Sequence, residues 1–466
     1  MNNEVLLVYP KVGSEAPGVS LHPPLPLLYL AARLPDFRVS IFDERVDPPA
    51  RYQELLARRP LCVGFSIFTG YQIGFALKLA QLAKAAGLTT VFGGVHATIL
   101  PEQTRADARV DHVVAGPGEI AFRVLVQALA AGSTPPPLLH ARDYGPLDLD
   151  QLPALPYDLV NVENYVRIAA TTGRTLPFLF SRGCPFACTF CCNPVISRRR
   201  WRAMSVETAA RQLNDLVDRY RLDSIFFIDE NLTARPRVLN DLAARIAGRF
   251  HWYAQARANS LLAYDLAGLE KMGAQRFGCG LESGSPRILE QIKKAETVDE
   301  YIEVNRRLAR TGIRVSYNYI TGYPGETPDD LRATIDLALR MLDENPRADN
   351  NTFYLLTPYP GAEISRGLEA EMPASLEGWS EFGRHNYHAR WHDSAALGVY
   401  QRIGFSSKFV GRRLARLFPD DPELAALSAR FTEKWRAFDF AASAAWDELT
   451  AAGWHTLRRL FGPHAY

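Results

Sequence analysis

The apolar positions of this chain fall into short runs separated by longer amphipathic stretches. Residues 4–9 (EVLLVY) form a near-continuous apolar run bounded by polar residues, the pattern of a strand buried on both faces. Similar runs follow at 39–43, 62–66, 89–92 and 110–114. The stretches between them, 25–34, 73–86 and 118–131, carry apolar residues at helical spacing. Strand and helix in alternation predict a doubly wound parallel sheet, of Rossmann-like type, over residues 1–131. Its glycine-rich turns, Thr69-Gly70, Gly93-Gly94-Val95-His96 and Gly116-Pro117-Gly118-Glu119, close successive strands at their carboxyl ends, where such sheets bind ligands. Residues 132–169 are rich in proline and predict a linker.

A second alternating series begins after it. Six strands are predicted at 178–181, 224–228, 252–255, 276–281, 314–321 and 352–357, with helices such as 206–220 and 327–341 between them. Six βα units over residues 170–371 predict a partial (β/α)6 barrel of TIM type, open on one side, with its chemistry at the carboxyl ends of the strands. Residues 372–466 predict a mostly helical third region that caps the barrel. The chain is therefore expected to be α/β with a helical C-terminal domain.

Composition narrows the classes. Lys+Arg (53) nearly balances Asp+Glu (51), for a net charge of +2, which gives no case for nucleic-acid binding from charge alone. No apolar run approaches a membrane span. The N-terminus lacks a basic leader, so a cytoplasmic, reducing location is expected, with no membrane association.

The chemistry concentrates after the first barrel strand. Cys184, Cys188 and Cys191 stand in the spacing C-x3-C-x2-C. Three thiolates on one loop suit three irons of a 4Fe–4S cluster and leave the fourth iron open to a ligand. Zinc would call for a fourth N/S ligand that the sequence does not offer nearby, and six cysteines in 466 residues are too sparse for a disulfide scaffold. Cys192, beside Cys191, reads as structural, and Cys62 and Cys279 as core residues.

This loop resembles the signature of the radical S-adenosylmethionine (SAM) enzymes. The resemblance implies that the open iron chelates SAM and that the reduced cluster cleaves it to a 5′-deoxyadenosyl radical. Phe190 matches the aromatic residue near the adenine. Further matches follow in order at successive strand ends. Asp229 or Glu230 would accept from the SAM ammonium, the alternative being favourable acids at a helix N-terminus. Arg257 would pair with the SAM carboxylate, Glu282 and Ser283 would meet the ribose, and Gly322 would let the backbone approach the adenine. The resemblance covers about residues 170–365.

Residues 1–131 resemble the cobalamin-binding domain of one large class of these enzymes, which implies contacts from Thr69, Gly70, Gly93, Gly94, His96, Gly116, Gly118 and Glu119. No Asp-x-His-x-x-Gly is present, so no histidine stands where a lower cobalt ligand is usual. The alternative is a domain that keeps this shape and binds no cobalamin.

Two endings follow from the resemblance. One is radical dehydration of a 1,2-diol, as in the diol dehydratases of aminoglycoside biosynthesis, on a small polar sugar-like substrate. It needs a proton donor, for which Tyr317, Tyr319, Tyr359 and the tract His385, His388, His392 are candidates; the histidines, on one helical face, could instead bind a metal or face solvent, and the tyrosines could be core. The other is cobalamin-dependent C-methylation. Dehydration is the reading preferred from sequence, and a non-catalytic iron–sulfur sensor is the reading from another class. A one-electron donor such as a flavodoxin or ferredoxin is expected as partner, with a separate reductase acting on the product.

Overall fold

Leu6, Leu7 and Val8 are fully buried in β1 (Glu4–Tyr9), as the unbroken apolar run requires of a central parallel strand. A computed structural model describes residues 3–13, 21–169, 172–382, 391 and 394–462. The chain divides into two compact units. One comprises residues 1–168 with 359–387, the other 169–358 with 388–466.

In the first unit β1 pairs in parallel with β2 (Arg38–Asp43) and β3 (Cys62–Ser66). β4 (Thr90–Gly93), β5 (His112–Ala115) and β6 (Leu138–His140) extend the sheet in the order β2-β1-β3-β4-β5-β6. The order reverses between β1 and β3, which is a topological switch point. Helices cover both faces. The core joins Phe65, Phe92 and Ile67 of the sheet side to Ile73, Ala76 and Leu77 of the helix Tyr71–Ala85. In the stretch expected as a linker, β6 joins the sheet and Leu149, Leu152, Tyr157 and Tyr165 are buried. Residues 372–382, expected in the C-terminal region, belong to this first unit. Leu376, Trp379 and Phe382 pack into its core, because three large apolar side chains in seven residues need a hydrophobic face to cover.

β7 (Arg167–Ala169) lies where the chain passes between the units. In the second unit, β8 (Gly173–Phe178) leads to a small antiparallel ribbon of β9 (Ser181–Arg182) with β10 (Arg202–Ala203). β11 (Ser224–Phe227), β12 (His251–Ala256), β13 (Ala274–Glu282), β14 (Arg314–Thr321) and β15 (Ala348–Leu355) then add in sequence order, each parallel to its neighbour. This is the expected partial barrel with six parallel strands. Sharp helix starts keep the connections short. Thr297 with Glu300, and Thr327 with Asp330, close capping boxes on the helices Val298–Ala309 and Pro328–Glu344. Four helices, Ser394–Val410, Arg413–Leu417, Pro422–Arg436 and Ala444–Phe461, form the C-terminal helical region.

Candidate active site

The cysteine loop leaves β8 at the carboxyl edge of the barrel and is held from several sides. Asp229, at the end of β11 and 1% exposed, accepts from the Ser181 amide at 2.5 Å, the Phe180 amide at 3.2 Å and the Ser181 hydroxyl. Glu230 accepts from the Gly183 amide at 3.0 Å. Thr189 donates its amide to the Ile292 carbonyl at 2.9 Å, and the Cys191 amide turns back onto the Cys188 carbonyl. Both carboxylates expected to face a SAM ammonium thus bind the backbone that carries the cysteines.

All three cysteines are free thiols, partly buried. Burial, then the neighbouring sulfurs of Cys192, Cys188 and Cys184, push the Cys191 thiol up to about 12, against a lowering contribution from the Asn193 amide. Sulfurs close enough to oppose one another's ionisation fit a cationic centre, which reverses that balance. Among the described residues, no group of three or more His, Cys, Asp or Glu is arranged to hold a single metal ion. Asn231 points its amide toward Cys184 at 4.0 Å, and the Asn193 amide donates to Cys191 at 3.4 Å.

Beside Cys188 lies a buried charge network. Arg257 donates to the Cys188 sulfur at 3.6 Å, stacks over the Phe186 ring at 3.7 Å and pairs with Glu296 at 3.4 Å. It also donates to the Lys294 carbonyl. Lys294 pairs with Glu282 at 2.9 Å and with Glu296 at 3.3 Å. Burial disfavours the Lys294 charge, but Glu282 and Glu296 outweigh it and hold the ammonium above its usual range. Glu282 sits at φ +68 on the bulge that ends the β13–β14 pairing. A side chain so placed is strained, and such strain gathers at functional sites. A Cβ on Gly278 would meet Gln255 at 2.5 Å, and one on Gly280 would meet Glu282 at 2.1 Å. Both glycines of β13 are therefore the floor over which those polar side chains lie.

Ser283 is buried and bonds the Thr334 hydroxyl at 3.0 Å. Gly322 has φ +83, and its amide donates to Glu326 at 2.7 Å. Tyr323, beside it, is buried, and its hydroxyl has no hydrogen-bond partner among the described residues. Phe190 is half-buried on the cysteine loop.

In the first unit the expected residues gather on the carboxyl edge of β3, β4 and β5. Gly70, Gly94 and Gly116 all have positive φ, at +113, +93 and +101. At Gly94 the need is absolute, since a Cβ would lie 2.7 Å from the Ile67 carbonyl. Gly93 ends β4, while Gly118 and Glu119 open the helix Gly118–Ala130. Thr69 is 2.9 Å from His96 Nδ1, and the Nε2 of the buried His96 has no hydrogen-bond partner among the described residues. Burial lowers His96 to about 4, so the ring is neutral, with its edge toward Trp379 at 5.4 Å between centroids. A neutral, unpaired nitrogen among glycine turns on this edge fits a polar ligand bound there.

The proposed proton donors fare differently. The Tyr317 hydroxyl donates to Asn305 of the helix Val298–Ala309 at 2.9 Å, and Tyr319 stacks on Phe353 at 4.4 Å, which in turn meets Trp435. Both tyrosines share one face of β14 as alternation requires, but it is the helix-packed face. Tyr359 belongs to the first unit, against Phe382. His385, His388 and His392 lie outside the described residues. The concave face instead carries Gln255, Asn318 and Tyr354, the last 39% exposed. Sequence reasoning also missed Asn231, Lys294 and Glu296. Asn231 ends the stretch that carries Asp229 and Glu230 but is given no role from sequence, and Lys294 and Glu296 stand in no motif, so that only the rarity of buried charge would have singled them out.

Comparison with known proteins converges on this arrangement. Residues 178–338 match the model of the radical SAM superfamily, and residues 17–126 match that of the B12 binding domain. An uncharacterized methyltransferase of Pyrococcus horikoshii is 30% identical over 385 residues, 78% of this chain and 82% of the relative. The bacteriochlorophyllide d C-12(1)-methyltransferase of Chlorobaculum tepidum is 25% identical over 291 residues, 61% of each chain. Among solved structures, the radical SAM methyltransferase TsrM from Kitasatospora setae, with cobalamin and a [4Fe–4S] cluster bound, superposes with a TM-score of 0.70. That match covers 98% of this chain and 100% of the other at 17% identity, a likeness of fold. None of these three is named a dehydratase.

Proposed function

We propose that this chain, which belongs to the radical SAM superfamily and carries its B12 binding domain, is a cobalamin-dependent methyltransferase acting on carbon of a small molecule. When bound, a 4Fe–4S cluster, SAM and cobalamin supply one-electron cleavage of a sulfonium bond and a transferable methyl group. Cys184, Cys188 and Cys191 would hold the cluster. Asp229 and Glu230 fix the loop that presents them. Glu282, Ser283, Arg257, Gly322 and Phe190 would surround SAM, and the ion pair with Lys294 holds Glu282 over the floor of β13. Thr69, Gly70, Gly93, Gly94, His96, Gly116, Gly118 and Glu119 would meet cobalamin along the strand ends of the first unit.

The observation that carries the reading is the pairing, in one chain, of the anchored three-cysteine loop with a glycine-edged parallel sheet that matches the B12 binding domain. The dehydration preferred from sequence is set aside. The tyrosines it relied on, Tyr317 and Tyr319, are packed against helices, and Tyr359 sits in the first unit. Methyl transfer asks less of acid/base groups. The test is metal analysis and product detection on protein purified without oxygen from cobalamin-fed cells. About four irons and about one cobalt per chain are expected, with S-adenosylhomocysteine and 5′-deoxyadenosine both formed from SAM. Iron without cobalt, and 5′-deoxyadenosine without S-adenosylhomocysteine, would overturn methyl transfer.

A further inference from the structure

Beyond the short helix Asn193–Ile196 that follows the cysteine loop, the chain reads Ser197-Arg198-Arg199-Arg200-Trp201-Arg202. Arg198, Arg199, Arg200 and Arg202 are all exposed, and among the described residues none of their guanidinium groups meets a carboxylate. Arg198 and Arg199 are consecutive residues in the left-handed region, at φ +53 and +57. Side-chain-bearing residues adopt that conformation rarely, so the turn is held by its surroundings. Those surroundings are the cysteine loop itself. Arg202 and Ala203 pair with Arg182 and Ser181 in the β9–β10 ribbon. Trp201 donates to the Asn231 carbonyl at 3.0 Å and packs edge-on to Phe180. The Arg200 carbonyl lies so close to Gly183 that a Cβ there would sit 2.1 Å from it, and Gly183 takes φ +87 to allow this. Glu230, the neighbouring carboxylate, is turned onto the Gly183 amide. Beside the arginines, Val195 is 52% exposed.

A chain whose charges nearly cancel thus concentrates unbalanced positive charge, with an apolar side chain at its border, on the outer side of the loop that carries the cysteines. From this we infer that the ribbon and turn 195–202 are the docking surface for an acidic one-electron carrier protein. The carrier gives up one electron, which enters through the cysteine loop, and is itself oxidised by one. Complementary charge would speed the encounter and make it sensitive to salt. The short backbone path from Arg200 through Gly183 to Cys184 brings the carrier's redox group near the sulfurs.

The inference rests on the proposed radical SAM chemistry, and the experiment separates the two. Reconstituted protein is mixed with reduced flavodoxin, or with dithionite, and loss of the cluster's visible absorbance is followed by stopped flow. The variant Arg198→Glu/Arg199→Glu should slow reduction by flavodoxin at least about tenfold at low salt and flatten its salt dependence. Its iron content and its reduction by dithionite should be unchanged. Arg198→Gln/Arg199→Gln should give an intermediate rate. Flavodoxin binding by the cluster-free protein, measured by thermophoresis, should weaken in the same order. Equal flavodoxin rates for all three proteins would overturn the inference, as would equal slowing with dithionite. Unchanged flavodoxin rates with loss of tRNA binding would overturn it in favour of a nucleic-acid surface. Failure of dithionite to bleach the unaltered protein would instead count against the radical SAM chemistry itself.

Discussion

Replacing Asp229 by alanine separates two roles for the same carboxylate. The structure gives it three donors, the Phe180 and Ser181 amides and the Ser181 hydroxyl, all within a site 1% exposed or less. Alanine leaves both amides buried without an acceptor, while the hydroxyl can rotate. At about 1–3 kcal/mol for each buried unsatisfied group, the start of the cysteine loop loses about 2–6 kcal/mol of local stability. Hydrogen exchange read by mass spectrometry on the segment 178–192 should therefore show the Phe180 and Ser181 amides exchanging at least about thirtyfold faster, the lower bound of that range. Iron retained after anaerobic reconstitution should fall below half that of the unaltered protein. If Asp229 instead serves the SAM ammonium, exchange and iron content would match the unaltered protein and SAM binding alone would weaken. That result would refute the anchoring argument.

Three further outcomes are expected. Lys294→Met leaves Glu282 and Glu296 buried without their shared cation, a loss of about 3–5 kcal/mol for breaking a buried ion pair; Lys294→Met/Glu296→Gln should recover part of it in urea denaturation, and equal stability of the two would contradict the network. Arg257→Gln removes an N–H bond to the Cys188 sulfur, so the reduction potential in an EPR-monitored titration should fall by on the order of 50 mV. The two units should respond oppositely to mild acid in the cluster-free protein. His22 and His96, in the first unit, are lowered to about 4 by burial, with Arg45 and Arg167 adding to the shift of His22. Between pH 4 and 6.5 the unfolded state binds more protons there, and stability rises with pH. In the second unit, burial raises Asp229 and Glu326 to about 7. The folded state binds more protons from about pH 4.5 to 7, and stability falls with pH. Each group contributes up to about 1.4 kcal/mol per pH unit. Limited proteolysis mapped to each unit at pH 5 and 7 checks this, and parallel responses would contradict it.

Most strands of both sheets were legible because buried parallel strands leave unbroken apolar runs that turn residues delimit, whereas β6 and β7, three residues each, were hidden in the stretch expected as a linker. The cysteine spacing was legible because a cluster needs its ligands on one short loop. Less was legible where parity or partner mattered. Alternation puts Tyr317 and Tyr319 on one face of β14 but does not say which face is concave; that depends on which side the helix Val298–Ala309 covers. Asp229 and Glu230 were recognised as site acids, yet nothing local reveals that their donors are the amides of residues 180–183. Lys294 and Glu296 meet Glu282 only through the fold of the segment after β13, so their sequence neighbours carry no sign of it.

The first unit is discontinuous in sequence. Its core takes Leu376, Trp379 and Phe382 from a segment that follows the last barrel strand. Trp379 also donates to Gln103 at 2.5 Å, and Gln103 donates to the Pro373 carbonyl at 2.8 Å. On a ribosome working at about 5–20 residues per second, the apolar face around Ile73 and Leu77 would wait on the order of ten seconds or longer for its cover. During that wait the whole barrel is being synthesised. The usual order of assembly, N-terminal domain first, is thereby reversed at its last step: the barrel can close while the domain that precedes it is still incomplete. That uncovered face is where a chaperone would be needed, and where a chain stopped short of residue 382 would begin to aggregate.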